Sequence, residues 1–279
     1  MKVLFRCDSS SSIGLGHVMR DLVFAQNYKN DEVIFACQNL KGNINDQITY
    51  PVHTLKSNQP EELIKLIKSL HVDALIIDHY GINYETEKII KEKTAIKIFC
   101  FDDDYREHFC DVILNHNISA DISKYKNQSI VKLIPPLIRD EFKNEKPIKR
   151  EKVYDLFIAM GGADSTNINI PILKTISNSL YISLVTTSAN ANLDELRKFV
   201  ACKENISLYV DSKEIAKLIN QSKFAIITPS VMVHEILFMD TPFLAIKTAS
   251  NQDDIYEYLK KNSYAVLEKF DKKALSEKL

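Results

Sequence analysis

The segment from Asp8 to Arg20, DSSSSIGLGHVMR, follows a short apolar run and holds residues that suit phosphate binding and proton transfer. Gly14 and Gly16 permit a tight turn with close backbone approach, and a helix that begins near His17 points free N–H groups at an incoming anion. A helix N-terminus favours the neutral imidazole, so His17 can accept a proton as a general base. The plainer alternative is that His17 caps its helix and that both glycines only close a turn.

Hydroxyl groups and a guanidinium flank this turn. The four consecutive serines from Ser9 to Ser12 suit a polyhydroxylated ligand better than plain packing. Arg20 lies one helical turn after His17, where it can meet a phosphate or a carboxylate. The pattern is neither GxGxxG nor a Walker loop, and no acidic residue ends the second apolar run, so a dinucleotide ligand is disfavoured.

A second polar segment, Asp78-His79-Tyr80-Gly81, ends another continuous apolar run. Asp78 can orient a histidine or bind a sugar hydroxyl, and Tyr80 can stack on a sugar ring or hydrogen-bond to it. In the alternative interpretation, Asp78 caps the following helix and His79 lies in solvent. We favour the functional interpretation for Asp78.

Metal ligation is the obvious hypothesis for Asp102, Asp103 and Asp104, which end a further apolar run. Neighbouring side chains in an extended segment alternate faces, however, so three adjacent carboxylates do not converge without a specialised loop. We predict a solvated strand end, with one inward-facing carboxylate near the sugar. The odd number of cysteines and the absence of a CxxC spacing argue against a disulfide framework and a zinc site. We expect neither a metal nor a cofactor.

In the C-terminal half, the segment from Met160 to Asn167 holds a second glycine turn, MGGADSTN. Gly161 and Gly162 expose backbone N–H groups that can hold a diphosphate without metal, and the next helix adds positive potential. Asp164 is predicted to cap that helix. A simple glycine turn is the alternative.

Another helix start, at Thr228-Pro-Ser230-Val-Met-Val-His-Glu235, offers a carboxylate. Glu235 can accept hydrogen bonds from two vicinal ribose hydroxyls, although a glutamate in a first turn also stabilises a helix dipole. We favour ribose binding because Ser230 and the pair Asn251-Gln252 are expected at the same sheet edge.

The elements that position these segments alternate between apolar runs and stretches of helical period, which is typical of parallel βαβ units. Helices are predicted to begin near His17, Pro60 and Tyr84. The predicted strands span 2–7, 32–37, 74–80, 96–102, 111–116, 154–160, 181–187, 206–211, 224–229 and 243–247. Ligands bind at the carboxyl ends of such strands, where the polar segments lie.

The stretch DEFKNEKPIKREK, from Asp140 to Lys152, is charged and resembles an exposed linker between domains. We therefore predict an α/β protein with a Rossmann-like lobe over 1–140, a linker over 141–152 and a second Rossmann-like lobe over 153–279. Strands buried on both faces indicate two doubly wound parallel sheets, which we expect to face each other across a cleft.

Charge and hydropathy restrict the partners. The 279 residues include 36 Lys and Arg and 37 Asp and Glu, and a net charge of -1 gives no general basic surface for nucleic acid or anionic membrane. No apolar stretch approaches the roughly 20 residues of a membrane span. We expect a cytoplasmic monomer with a small-molecule ligand and without membrane insertion.

Seven motifs occur in order along the chain: RCDSSSSIGLGHVMRD, LIIDHYG, CFDDD, ILNHN, LIRDEF, MGGADSTN, and SVMVHE followed by NQ. Their order and spacing resemble the UDP-2,4-diacetamido-2,4,6-trideoxy-β-L-altropyranose hydrolases of pseudaminic acid biosynthesis. That family is in turn similar to the GT-B glycosyltransferases. The resemblance therefore implies an enzyme with a GT-B-like fold and a UDP-sugar substrate.

The resemblance also implies roles for single residues. His17 would activate a water molecule that attacks the anomeric carbon with inversion, and the C-terminal lobe would hold most of the UDP. The predicted substrate-binding residues are Gly14, Gly16, Arg20, Asp78, His79, Tyr80, Gly161, Gly162, Asp164, Asn167, Ser230, Glu235, Asn251 and Gln252. A glycosyltransferase that uses a UDP-sugar donor and a non-catalytic nucleotide-sugar-binding protein are the alternatives.

Overall fold

The computed structural model describes residues 1–10 and 12–278, and the chain divides into two compact units, Met1–Leu137 and Ile138–Leu279. Each unit is built around one parallel β-sheet with helices in the connections between strands. Each sheet follows from the predicted βαβ alternation, since parallel strands need a crossover connection.

The first unit holds a seven-stranded sheet in the order β3-β2-β1-β4-β5-β6-β7. Its strands are β1 (Lys2–Cys7), β2 (Glu32–Gln38), β3 (Val52–Leu55), β4 (Ala74–Asp78), β5 (Lys97–Phe101), β6 (Val112–Asn115) and β7 (Val131–Leu133). Its helices are α1 (Gly16–Ala25), α2 (Pro60–Leu70) and α3 (Tyr84–Thr94). Every strand pair is parallel.

The apolar side chains of β1 explain why this sheet is covered on both faces. Phe5 packs on one face with Phe35 of β2 and Val18 of α1. Leu4 packs on the other face with Leu63 of α2. Successive side chains of a strand point to opposite faces, so a continuous apolar run such as VLF needs a hydrophobic layer on each side.

The second unit holds a six-stranded parallel sheet in the order β10-β9-β8-β11-β12-β13. Its strands are β8 (Tyr154–Ala159), β9 (Ile182–Thr186), β10 (Ile206–Val210), β11 (Ser222–Ile227), β12 (Phe243–Ile246) and β13 (Ala265–Leu267). Its helices are α4 (Asp140–Glu145), α5 (Asn169–Thr175), α6 (Leu193–Val200), α7 (Ile215–Asn220), α8 (Met232–Phe238), α9 (Asp253–Lys261) and α10 (Lys272–Lys278). Both faces of this sheet are also buried.

All ten predicted strands are present with each end within two residues of its predicted position, and the predicted helix starts near His17, Pro60 and Tyr84 are confirmed. The sequence analysis missed β3, β7 and β13, which are short and only partly buried, so their apolar signal is weak. Among the described residues, no helix combines the length and the hydropathy of a membrane-crossing segment.

The stretch that we expected to be a linker, 141–152, has structure of its own. It includes most of α4, and Phe142 of this helix is fully buried in the core of the second unit. Glu145 binds the side chains of Arg150 and Asn220. The charged residues of this stretch thus form ion pairs within the second unit, and one apolar side chain anchors the stretch to the core. Composition alone does not show either feature.

Candidate active site

Strand order places the polar segments of the first unit side by side. In its sheet, β1, β4 and β5 are consecutive neighbours, and the order of strands reverses direction at the β1–β4 pair. Such a switch point leaves an open crevice at the carboxyl ends of the strands. The loop before α1, the end of β4 and the loop after β5 therefore converge, although they are far apart in sequence.

Three buried polar residues lie where these segments meet: His17, Asp78 and Arg20. Nδ1 of His17 lies 2.6 Å from Oδ1 of Asp78, and Nε2 of His17 remains the ring atom that can take a proton. Arg20 donates from Nε and Nη2 to the two oxygens of Asp78, each at 2.5 Å. Histidine, aspartate and arginine are all buried, with the imidazole 7% exposed. A buried carboxylate in this position can fix the tautomer of an imidazole.

Electrostatics keep Asp78 charged in this buried position. Burial alone would raise the pKa of Asp78, but the positive charge of Arg20 and the contact with His17 outweigh it and hold the pKa well below its usual range. Burial and the charge of Asp78 raise the pKa of neighbouring Asp21 well above its usual range. These surroundings favour the neutral form of Asp21 and the ionised form of Asp78, the carboxylate against the histidine.

Asp103 and Tyr80 extend this group toward solvent. Asp103 accepts hydrogen bonds from Nη1 of Arg20 at 2.9 Å and from the Tyr80 hydroxyl at 2.7 Å. The Tyr80 ring stands edge to face with the His17 ring, with 4.8 Å between centroids, and is 51% exposed. An exposed aromatic ring beside a histidine offers a surface on which a sugar can stack.

The solvated strand end predicted for Asp102 to Asp104 is wrong for the first two residues. Asp102 is buried, because its carboxylate accepts the backbone N–H groups of Tyr105 and Arg106 and closes the turn after β5. Asp103 is largely covered by its contacts with Arg20 and Tyr80. Asp104 alone lies at the surface, where it pairs with Arg106.

His79 lies in a second polar group beneath the loop and not in solvent, as the alternative interpretation had it. Its Nε2 lies 2.9 Å from Asp8, and its Nδ1 accepts the N–H of Gly81 at 2.8 Å. The same Asp8 carboxylate accepts two hydrogen bonds from the fully buried Arg6. Both ring nitrogens of His79 therefore have protein partners, which suits a role in positioning the end of β4.

The loop before α1 is held largely by its own hydroxyls. Ser9 accepts the backbone N–H of Ile44, and Ser10 accepts that of Ser12. These two hydroxyls are thus engaged within the protein, while Ser11 of the predicted serine run lies outside the described residues. Gly14 has a φ of 89°, a conformation that glycine adopts without strain. Gly16 begins α1, and its N-cap residue, Leu15, makes no side-chain capping hydrogen bond.

The carboxyl ends of β8, β11 and β12 lie side by side in the second unit, and they carry its predicted ligand residues. Gly161 and Gly162 are exposed directly after β8, and Gly161 has a φ of 81°. A Cβ at position 162 would lie 2.9 Å from the Thr187 side chain, so this position requires glycine. The two residues form a turn whose backbone can approach a ligand closely.

Asp164 and Asn167 complete this turn with unusual backbone angles, since φ is 40° and 51° respectively. Helix α5 begins at Asn169, later than the turn suggested. The Asp164 carboxylate accepts the N–H groups of Ile168 and Asn169 at the start of this helix, as its predicted capping role requires. Because α5 has only seven residues, an anion at this turn would depend on the backbone N–H groups of the turn more than on the helix dipole.

Glu235 lies in α8 and is paired with a residue that the sequence analysis did not single out. Nε and Nη2 of Arg139 donate to its two carboxylate oxygens, at 2.6 and 3.0 Å. The Glu235 side chain is 9% exposed and keeps free lone pairs on both oxygens, since each can accept a further hydrogen bond. Arg139 lies in the LIRDEF motif, which was the one signal for it.

The remaining predicted ligand residues of the second unit differ in exposure and in how far their side chains are already hydrogen-bonded within the protein. Ser230 is half-buried at the start of α8, with its hydroxyl 3.2 Å from that of Thr228. Gln252 bonds through both atoms of its amide to Thr248 and so closes the loop after β12. Asn251 is exposed and directly available to a ligand.

Solved structures show which class of protein this architecture defines. A glycosyltransferase from Rickettsia africae ESF-5 superposes with a TM-score of 0.69 at 13% identity, covering 99% of this chain and 86% of the other. Anabaena HepE in complex with UDP-glucose gives a TM-score of 0.66 at 13% identity, covering 99% and 88%. The chain thus has the GT-B-like fold, with two parallel-sheet α/β domains.

Sequence similarity then defines the family. The chain is 44% identical over 281 residues to the UDP-2,4-diacetamido-2,4,6-trideoxy-β-L-altropyranose hydrolase of Campylobacter jejuni subsp. jejuni serotype O:2, covering 97% of this chain and 100% of the relative. The protein belongs to this family of UDP-sugar hydrolases, which confirms the resemblance seen in its motifs. No family model matches the sequence.

Proposed function

We propose that this protein hydrolyses UDP-2,4-diacetamido-2,4,6-trideoxy-β-L-altropyranose to UDP and the free sugar, a step of pseudaminic acid biosynthesis. The similarity over nearly the whole chain to a hydrolase of that name supports the substrate. The hydrogen bond between Nδ1 of His17 and Asp78 is the observation that carries the chemistry, because it leaves Nε2 of a buried imidazole to accept a proton.

In the proposed reaction, Nε2 of His17 takes a proton from water while the water oxygen forms a bond to the anomeric carbon. The bond between that carbon and the β-phosphate oxygen of UDP breaks, and its electron pair leaves with UDP. Attack from the side opposite the leaving group inverts the anomeric centre. Asp78 stabilises the imidazolium that forms, and Arg20 holds Asp78 in its orientation.

We assign the nucleotide to the second unit. The backbone N–H groups of the exposed residues Gly161 and Gly162 would bind the diphosphate and stabilise the charge that develops on UDP. Glu235 would accept the ribose hydroxyls with the lone pairs that Arg139 leaves free. Asn251, Asn167 and Ser230 stay predicted ligands on the same sheet edge.

We assign the sugar to the first unit. The exposed ring of Tyr80 would stack on the pyranose beside His17. All three guanidinium nitrogens of Arg20 donate to Asp78 or Asp103, so we assign Arg20 to positioning these carboxylates. His79 is assigned to the same kind of role, since its two ring nitrogens bind Asp8 and Gly81.

Proton NMR of the UDP-diacetamido sugar, incubated with the full-length protein and no acceptor, tests this function. We expect UDP and free sugar in equal amounts, with the inverted anomer present before mutarotation. UDP release only after an acceptor alcohol is added would instead establish a transferase. Binding without any release of UDP would establish a nucleotide-sugar-binding protein.

The substitution Glu235→Gln tests the ribose site. Loss of a charged hydrogen-bond acceptor costs about 1.5–3 kcal/mol, so KM should rise roughly 10- to 100-fold while kcat changes little. The matched control is Glu141→Gln, because Glu141 also pairs with Arg139, through Nη1 at 2.6 Å. The control should keep KM near the wild-type value. A fall in kcat at unchanged KM in Glu235→Gln would contradict ribose binding.

A further inference from the structure

Three potential metal ligands meet inside the first unit, away from His17 and Asp78. Glu87 of α3, Cys100 of β5 and His108 of the following loop each offer one ligand atom, and these atoms all lie within 4.8 Å of one another. Oε1 of Glu87 is 2.8 Å from Nδ1 of His108 and 3.5 Å from Sγ of Cys100. Glu87 and Cys100 are fully buried, and the His108 side chain is 2% exposed.

The chemistry of this donor set matches zinc. One carboxylate oxygen, one imidazole nitrogen and one thiolate sulfur are the three ligand types that Zn²⁺ takes, at about 2.0–2.3 Å in a tetrahedral shell. In such a shell, nitrogen and oxygen ligands stand about 3.3 Å apart, so the imidazole would have to move outward by only about half an ångström. The three ligands come from a helix, a strand and a loop. They are therefore separated in sequence and form no CxxC spacing, and the absence of that spacing is what argued against zinc in the sequence analysis.

The surroundings of His108 resemble the outer shell of a metal site. Its Nε2 lies 3.1 Å from Oδ1 of Asp102, so this carboxylate can hold the tautomer that leaves Nδ1 for a metal. Oε2 of Glu87 accepts the N–H of Phe109 at 2.6 Å, which fixes the carboxylate with Oε1 toward the cluster. Glu87 and Asp102 thus both face the imidazole, and Nε of Arg106 lies 3.8 Å from Asp102.

Cys110 is the candidate for the fourth ligand. Its half-buried thiol neighbours the Cys100 thiol but lies outside the group of three, so its side chain would have to turn toward them. Cys110 and His108 also line a cavity of about 340 Å³, through which an ion can enter. A closed shell of four protein ligands is typical of structural zinc and not of catalytic zinc.

We propose that Glu87, Cys100, His108 and Cys110 bind one structural Zn²⁺ that fastens the loop between β5 and β6 to helix α3. The same loop begins with Asp102 and Asp103, and Asp103 contacts Arg20 and Tyr80. The ion would therefore stabilise the segment that presents Asp103 to the candidate active site. This inference does not depend on the identity of the substrate.

Cobalt(II) titration of the full-length protein, purified without immobilised metal and stripped by a chelator, tests the site. We expect one Co²⁺ per chain, with a thiolate-to-cobalt band in the near ultraviolet and the intense visible bands of tetrahedral coordination. Added Zn²⁺ should abolish these bands and raise Tm by at least about 2 °C.

Two variants locate the ligands. Cys100→Ser should remove the thiolate band, and Cys110→Ser should weaken binding at least tenfold. Cys202→Ser, at an exposed position of the second unit, should bind Co²⁺ as the wild type does. A stripped wild-type protein that gives no thiolate band, or a band that persists unchanged in Cys100→Ser, would overturn the proposal. Should Cys100→Ser fail to fold, Co²⁺ binding that stays unchanged in both Cys110→Ser and His108→Gln would do so.

Discussion

Replacing His17 with alanine is expected to lower kcat by about 100- to 10,000-fold, which is the usual contribution of a general base. Water at neutral pH is a weak nucleophile, and no other described imidazole shares the position of His17 between Asp78 and Tyr80. The affinity for UDP should stay within about twofold of the wild-type value, because we assign the nucleotide to the second unit. Single-turnover hydrolysis and calorimetric titration with UDP measure the two effects separately.

His53→Ala is a suitable control for this prediction. His53 lies in β3 at the sheet edge of the same unit and is half-buried, but it has no contact with Asp78. This variant should keep full activity. Added imidazole should restore part of the activity of His17→Ala, since a small base can occupy the vacated space. Equal losses of kcat and of UDP affinity in His17→Ala would refute the proposed role.

The βαβ architecture was predictable because the buried strands of a parallel sheet appear in a sequence as continuous apolar runs. Runs such as KVLFRC and ALIIDHY are apolar on both faces, and the structure has strands at these places. Edge strands leave a weaker mark, since one side of them contacts water. For that reason the sequence analysis found β1 and β4 but missed β3, β7 and β13.

The sequence identified single residues of the site but not the contacts between them. His17, Asp78 and Tyr80 each stood out by type and by position at the end of an apolar run. Their pairings depend on strand order and on rotamers, neither of which periodicity contains. The clearest example is Arg139, which lies 96 positions from its partner Glu235. Likewise, residue type does not distinguish Asp103 from Asp102. It is the fold that brings Asp103 into contact with Arg20.

The buried charges around Asp78 determine its ionisation state near neutral pH. Arg20 and His17 hold the pKa of Asp78 below its usual range despite burial. A depressed pKa stabilises the fold above about pH 4, the value of an unpaired aspartate, and this contribution is lost only as the pH falls further. Asp78 therefore stays ionised in any assay near neutral pH, and a change in rate there does not report its titration.

Asp78→Asn is accordingly expected to lower kcat by about 100- to 10,000-fold with little change in KM, because an amide cannot serve both of its partners. If the amide oxygen accepts from Nδ1 of His17, the amide nitrogen meets the Nε donor of Arg20. If the amide is flipped, its nitrogen donates to Nδ1, the proton moves to Nε2, and the base is blocked.

The matched control for Asp78→Asn is Asp104→Asn, which removes an exposed carboxylate that pairs with Arg106 near the same sheet edge. Its kcat should stay within about twofold of the wild-type value, since an exposed ion pair contributes little. In Asp78→Asn, the chemical shifts of ¹⁵N-labelled His17 should show the proton on Nε2 or a mixture of tautomers, whereas the wild type should carry it on Nδ1. A variant with wild-type kcat, or one whose His17 keeps the proton on Nδ1 although kcat is lost, would show that Asp78 does not act by orienting the base.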